Sequence, residues 1–587
     1  MPSDFLNVEK SASGFKWIGP TEEEDRKALS LSQTFGLSNL TALLITKRKI
    51  NFELVQDFLD PKLKSLMPDP YTLSGMEAAA KRIICALHSR ESICVFADYD
   101  VDGTVSASML KIWFKTFDIV PEIYIPDRIT EGYGPNRKAM TEISKKHKVI
   151  ICVDCGTVSH EAIEIATKAG ADVLVIDHHQ TTNQLPPALA VVNPKRNDDQ
   201  SNLDYLCAAG VVFLLLVAVN RLLKLEKQNP PDLISLLDLV ALATVADVVP
   251  LIDLNRAIVR QGLKVFAKRK RPGLTALGDL AGISEKPNCY HLGFLIGPRI
   301  NAAGRLSDAK LAVRLLTTND PDEASELAST LNNLNNERKK IEGEVLGEAI
   351  VQLQSRSDLK KLVWAASTDW HQGVIGIIAS RLKERYDKLA LVFSINAEGV
   401  AIGSARSTKE IDIGKIVSEL LQDNKIVSGG GHAMAAGLKI ESKSIEKIMN
   451  EVDKKLLDGR DANTPSKLLS IDGLLSTKGA TINLVEEINN VGPFGANNPA
   501  PRIAIANCKI KYLKVLAEKH IKFVCQDGSG QNLEAIYFNG MNNKAGDLLL
   551  SNKSKSFHLC GHLDINEWGG YRRVVLQVSD LAMNENI

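Results

Sequence analysis

The stretch ICVFADYDVDGTVSA, residues 93–107, places Asp98, Asp100 and Asp102 on alternate positions straight after an apolar run and follows them with Gly103. Three more segments end in the same way: Asp154 in IICVDCG, Asp177-His178-His179 in VLVIDHH, and Asp247 in ALATVADVVPL. Carboxylates gathered in one cleft repel one another and lose hydration, which is costly unless a cation lies among them. A single D-x-D is most often a solvated loop or a helix cap, and a single D-H-H is little more specific. Four acidic segments across about 150 residues, each closing an apolar run, point instead to a metal centre. Carboxylate oxygens with one or two imidazoles suit Mg²⁺ or Mn²⁺, and histidine favours Mn²⁺. The ligands are numerous enough for two ions, and two ions about 3.5–4 Å apart are a standard clamp for hydrolysing phosphate esters.

Elements of a definite kind must position these acids. From residue 91 onward, short β-rich runs (SICVFADYD, PEIYIPDR, KVIICVDCG, ADVLVIDHH) alternate with helical stretches such as SHEAIEIATKAG, whose Gly170 suits a helix end. That alternation predicts a parallel α/β sheet with its polar residues at the carboxyl edge, where open sheets carry their sites. Residues 1–86 read as a helical region with a break at MPDPYTLSG. NDPDEASELASTLNNLNNERKKIEGEVLGEAIVQLQS predicts a long connecting helix, starting at Asp320-Pro321 and striped by Leu327, Leu331, Leu334, Ile341, Val345 and Ala349. A second α/β unit follows. From Pro465 the texture turns to five short strands, which suit a small OB-type barrel.

Composition narrows the class. The 587 residues predict three or four domains, and 44% hydrophobic with 24% charged residues is ordinary for a globular chain. A net charge of +1 announces no nucleic-acid partner in bulk, so any basic surface must be local. No secretory signal is visible, and nine scattered cysteines fit a reducing compartment. The runs LCAAGVVFLLLVAV and SLLDLVALATVADVVPLIDL read as buried elements rather than membrane spans. The C-x-x-C at Cys152 and Cys155 lacks the second pair that zinc would need, which leaves strand cysteines as the plainer reading.

Taken together, DYDVDG, VDCG, DHH and ATVADVVPL resemble the four motifs of the DHH phosphoesterase superfamily. GPRINAAGR, WHQGVIGIIASRL and GGGHAMAAG resemble its RecJ branch and DHHA1 domain, and VGPFGANNPAP resembles the RecJ segment leading into an OB-fold. The resemblance implies a parallel-sheet DHH domain (87–315) after the N-terminal region, a connecting helix (316–358), a smaller α/β DHHA1 domain (359–460) and an OB-fold β-barrel (461–587). It implies Asp98, Asp100, Asp154, His178 and Asp247 as metal ligands, with Asp154 bridging two Mn²⁺ or Mg²⁺ ions. Asp102 is expected either to ligate or to hydrogen-bond behind the ligands, Asp177 to orient a neighbouring group, and His179 to contact the scissile phosphate or the leaving oxygen. Cys94 stands where some members carry a histidine, and Cys155-Gly156-Thr157 departs mildly from the family's second motif.

The resemblance also implies Arg299, Asn301, Arg305, His371, Ser404, Arg406, Gly429, Gly430, Gly431 and His432 as substrate-binding residues. Trp370 reads either as a base-stacking or as a packing residue. SGGGHAMAAG reads either as an anion cradle or as a tight turn before a helix. AKRKRPG reads either as a solvated face or as a contact where the strand arrives. The implied activity is 5′ to 3′ exonuclease cleavage of single-stranded DNA to 5′-mononucleotides, in DNA repair and recombination, by a cytoplasmic monomer. Family partners are a single-strand-binding protein and a RecQ-type helicase; no membrane is implied. Two alternatives remain at this stage: a DHH phosphodiesterase of short oligonucleotides or cyclic dinucleotides, and a non-catalytic nucleic-acid-binding scaffold.

Overall fold

Apolar runs bounded by single polar residues become the strands of a parallel sheet. In the computed structural model, which describes residues 4–284, 286–356, 361–458, 467–568 and 570–584, its spatial order is Glu122–Tyr124, Ile93–Ala97, Val149–Val153, Asp172–Ile176, Ala190–Val192. Every residue of Ile93–Ala97 and Val149–Val153 is buried, as expected of parallel strands covered on both faces. Helices Val101–Lys115, Arg137–Ser144 and His160–Lys168 make the crossovers. The run at 206–219 is mostly helix Ala208–Leu225. Among the described residues this is the one helix long and apolar enough to cross a membrane, and 72% of it is buried inside the protein, as a core helix would be.

The connecting helix is Pro321–Gln354, capped by the Asp320 side chain and opened by a proline. At 34 residues it spans about 50 Å. Its first half packs on Pro272–Leu280, Gly297–Leu306 and Lys310–Thr317; its second half sends Val345, Ala349 and Leu353 into the core of the next sheet. That sheet runs Ser428–His432, Ala435–Glu441, Val400–Arg406, Leu389–Ile395, Leu362–Ser367, with only the last two strands parallel. All these elements fall within one compact unit, Pro68–Asp247 with Gln261–Ala462.

The other unit is Met1–Met67, Val248–Arg260 and Asn463–Ile587. Its strands Ile503–Leu516, His520–Gln526, Asn532–Tyr537, Tyr571–Met583 and Ser556–Trp568 pair in that order, and the last closes on the first. The result is the five-stranded barrel expected from the sequence. The N-terminal region is not purely helical: Lys16–Ile18 is a strand paired in parallel with Leu468–Ser470. It escapes local pattern reading because three residues carry no periodicity and the partner is some 450 residues away. Trp17 on that strand is fully buried, and its indole N–H donates to Asp580 at 2.9 Å. The expected domain limits at 358/359 and 460/461 lie outside the described residues.

Candidate metal centre and substrate cleft

Three of the four acidic segments emerge at the carboxyl edge of the parallel sheet. Asp98 follows Ile93–Ala97 and donates its backbone N–H to Val153. Asp100 caps helix Val101–Lys115, accepting from the N–H groups of Asp102 (2.8 Å) and Gly103 (3.2 Å). Asp154 follows Val149–Val153 with φ of +60°, a conformation that costs a non-glycine residue about 1–2 kcal/mol and turns its carboxylate out of the strand. Asp177 follows Asp172–Ile176. Asp247 departs from the sheet-edge expectation: it is the C-cap of helix Leu237–Ala246, so it arrives with the negative end of a helix dipole.

The side chains converge. Asp98, Asp100 and Asp154 form one group, Asp102, His178 and Asp247 a second, and Asp154, His178 and His179 a third; within each group the ligand atoms lie within 4.8 Å of one another. His178 Nε2 stands 3.3 Å from Asp154 Oδ1, 3.6 Å from Asp247 Oδ2 and 3.7 Å from Asp102 Oδ2. Burial and mutual repulsion push the carboxyls of Asp98 and Asp154 far up, that of Asp102 to about 7 and that of Asp247 to about 8. Burial, aided by the charge of His179, pulls His178 down to about 3. Asp98 Oδ1, Asp154 Oδ1 and His178 Nε2 are buried without a hydrogen-bond partner. Unpartnered oxygen and nitrogen atoms gathered around Asp154, among carboxylates that disfavour one another's charge, are what a divalent cation would satisfy.

Asp177 stands behind this cluster. Its Oδ1 accepts from His178 N–H (2.7 Å) and meets His179 Nδ1 at 2.8 Å; its Oδ2 accepts from the N–H (3.1 Å) and hydroxyl (2.6 Å) of Thr157. Burial alone would lower His179, but the bond and charge of Asp177 override it and raise the imidazole to about 9. Thr157, in the departed second motif, thus holds the acid that orients His179. Asp102 is only 1% exposed, and its oxygens accept from Ala208 N–H (2.6 Å) and Ala209 N–H (2.8 Å), so it anchors helix Ala208–Leu225 and does not reach substrate. Cys94, Cys152 and Cys155 lie in the hydrophobic core, all cysteines are free, and no cysteine joins a ligand cluster among the described residues.

Local reading overlooked Tyr133 and Asn193. The Tyr133 hydroxyl donates to the Asp154 carbonyl at 3.1 Å and lies 3.2 Å from His179 Nδ1. The Asn193 amide donates to the His179 carbonyl (2.9 Å) and the Thr157 hydroxyl (3.0 Å). Asn193 carries the signal that revealed the acids, a polar residue closing an apolar strand, here Ala190–Val192.

The expected substrate residues divide. A cleft of about 690 Å³ has His179, Gln180 and Lys195 on one wall and Lys415, Gly431 and His432 on the other. A second cavity of about 350 Å³ gathers Arg128, Arg305, Arg381 and Arg406. Burial and the nearby Arg128 lower Arg305 to about 10 and also lower Arg406, a crowding of cations that an anion would relieve. Ser404 accepts from Arg406 at 3.1 Å, and His371 caps helix Gln372–Tyr386.

SGGGH is not a turn before a helix: Ser428–His432 is a strand hairpinned to Ala435–Glu441, with Gly431 and His432 facing the cleft. A Cβ on Gly431 would meet the Ala435 carbonyl at 2.4 Å and one on Gly429 the Val417 side chain at 2.7 Å, whereas Gly430 faces open space. Packing therefore accounts for two of the three glycines.

Three expected contacts are structural instead. Trp370 is 3% exposed, packed in the core, and donates its indole N–H to Glu348 at 2.7 Å, so it cannot stack on a base. Arg299 is 8% exposed and bonds Asn332 and the Leu295 carbonyl. Asn301 accepts from Val101 N–H at 3.0 Å, steadying the first acidic loop. In AKRKRPG, Arg271 pairs with buried Asp238 at 2.9 Å and Arg269 with Asp279, leaving Lys268 and Lys270 as the solvated face.

Comparison with known proteins gives the same architecture. Residues 92–244 match the DHH family, N-terminal domain; residues 358–458 match the DHHA1 domain; and residues 471–580 match the RecJ OB domain. The chain is similar to the single-stranded-DNA-specific exonuclease RecJ of Bacillus subtilis, 33% identical over 98% of this chain and 72% of the relative. It is also similar to that of Haemophilus influenzae, 33% identical over 89% of this chain and 92% of the relative. The crystal structure of RecJ in complex with Mn²⁺ from Thermus thermophilus superposes with a TM-score of 0.80 at 27% identity, covering 98% of this chain and 80% of that one. Matched across all three domains and along nearly its whole length, the chain belongs to the RecJ family of DHH proteins.

Proposed function

We propose that the protein is a single-stranded-DNA-specific 5′ to 3′ exonuclease that hydrolyses phosphodiesters at a two-ion centre and releases 5′-mononucleotides. The observation that carries this reading is the convergence of Asp98, Asp100, Asp154, His178 and Asp247, with buried donor atoms left unpartnered, in a chain of the RecJ family. These five side chains would hold Mn²⁺ or Mg²⁺; Asp154, shared by two of the three groups, would bridge. The ions supply the positive charge that neutralises the phosphate and activates water. Asp177 and Tyr133 fix the ring of His179, whose 39% exposed side chain faces the cleft and can donate to the phosphate or the leaving oxygen. His432 meets the same phosphate from the opposite wall. The crowded Arg128, Arg305 and Arg406 take a terminal phosphate of the strand through forked donors.

The scaffold reading needs missing ligands, and here every acid is in place. A dinucleotide phosphodiesterase has no use for a strand-holding barrel. The working assembly is a cytoplasmic monomer acting in repair and recombination, with a single-strand-binding protein and a RecQ-type helicase as partners to test by pull-down. The deciding experiment incubates the protein with Mn²⁺ and single strands labelled at either end, beside a blunt duplex. The 5′ label should leave first, as mononucleotide, and the duplex should resist. Release from the 3′ end, or equal attack on duplex, would overturn the reading. Cleavage of dinucleotides alone would favour the oligonucleotide phosphodiesterase, and inactivity with both metals the scaffold.

A further inference from the structure

Two lysines outside every motif stand on opposite walls of the 690 Å³ cleft. Lys195 follows Asn193-Pro194 at the end of strand Ala190–Val192. Its backbone N–H donates to Asn193 Oδ1 at 2.8 Å, and the Asn193 amide holds the His179 carbonyl, so Lys195 is tied to the residue facing the phosphate. The Thr181 hydroxyl holds the Lys195 carbonyl at 3.2 Å.

Lys415 stands in the first turn of helix Ile413–Gln422. There the Asp412 carboxylate, which also faces the cleft, accepts its backbone N–H at 3.0 Å. Gly414 lies so close to the hairpin that a Cβ would sit 3.0 Å from the Gly431 carbonyl, which fixes Lys415 beside His432. Among the described residues neither ammonium has an ion pair or a hydrogen bond. Two unpaired cations on facing walls, beside the groups assigned to the scissile phosphate, call for another anion.

We propose that Lys195 and Lys415 clamp the backbone phosphate one nucleotide 3′ of the scissile one. This rests on the exonuclease reading. A strand entering by its 5′ end has only its terminal phosphate on the far side, which suits the arginine cavity. The next phosphate on the near side falls to the lysines. The clamp makes the second phosphodiester a specificity determinant and engages both walls of the cleft at once.

The test compares a 5′-phosphorylated dinucleotide, which has no phosphate beyond the scissile one, with a trinucleotide, which has one. Lys195→Gln and Lys415→Gln should each lower the trinucleotide-to-dinucleotide ratio of kcat/KM by about tenfold, the low end for one charge-assisted hydrogen bond, chiefly through KM. Lys195→Arg and Lys415→Arg should keep the ratio within about threefold of wild type. The slope of log KM against log salt on long strands should fall by about 0.7 for each lysine removed. An unchanged ratio in either Gln variant would overturn the clamp, as would Arg variants losing as much as Gln variants. A wild-type protein inactive on both substrates would instead sink the exonuclease reading, and the clamp with it.

Discussion

Gly103→Ala sets two effects of opposite sign against each other. Gly103 lies inside helix Val101–Lys115 without a left-handed φ, so helix propensity alone favours alanine by about 1 kcal/mol. Packing opposes it: a Cβ there would sit 2.4 Å from the Asp98 carbonyl oxygen, 2.7 Å from its carbon and 2.8 Å from its nitrogen. An ordinary carbon–oxygen contact is about 3.3 Å, so the gap must open by about 0.9 Å. The atoms in the way are backbone, and the Asp98 backbone is pinned to Val153. Overpacking of this kind costs about 1–3 kcal/mol, leaving a net stability loss of about 0–2 kcal/mol. The larger consequence is chemical: moving Asp98 by about 1 Å relative to Asp154 can cost about 100-fold in rate. Steady-state hydrolysis of a single strand under titrated Mn²⁺, beside a denaturant melt, separates the two. The expected result is a kcat/KM about 100-fold down, a raised half-saturating Mn²⁺ and a modest fall in midpoint. A more stable variant with activity within threefold of wild type would refute the reasoning, because the loop would then have yielded without moving Asp98.

Other substitutions test the remaining assignments. Asp177→Asn keeps the shape but turns one arm into a donor facing the N–H groups of Thr157 or His178; kcat should fall about 10- to 100-fold with KM little changed, and equal losses in both would remove its role in aligning His179. Arg256→Met strands the carbonyls of Phe58, Asn490 and Val491 and should cost about 3–5 kcal/mol, read as a shifted urea midpoint; a cost under about 1 kcal/mol would show the site wet. Trp370→Phe leaves Glu348 without its indole donor and should cost about 1–2 kcal/mol by thermal melt, with strand affinity unchanged; a selective loss of affinity would restore base stacking.

The sequence by itself determined what depends on neighbours in the chain. Parallel strands buried on both faces must be apolar throughout, so the first polar residue after each run marks the sheet edge, and Asp98, Asp154, Asp177 and the unnoticed Asn193 all sit there. Alternation did the same for the barrel, where His520–Gln526 reads intermediate, buried, intermediate along its length. Tertiary structure decided what each polar group would be used for. Asp102 looks like its neighbours Asp98 and Asp100 until helix Ala208–Leu225, 106 residues on, presents two N–H groups to it. Trp370 and Arg299 became packing residues because distant partners, Glu348 and Asn332, satisfy their donors. Likewise Val248–Arg260, directly after Asp247, belongs to the unit of the barrel, where Arg256 donates to three backbone carbonyls. A local pattern reports whether a side chain is wanted inside or outside, but a buried polar group is stable only with a partner, and partners are assigned by folding rather than by order along the chain.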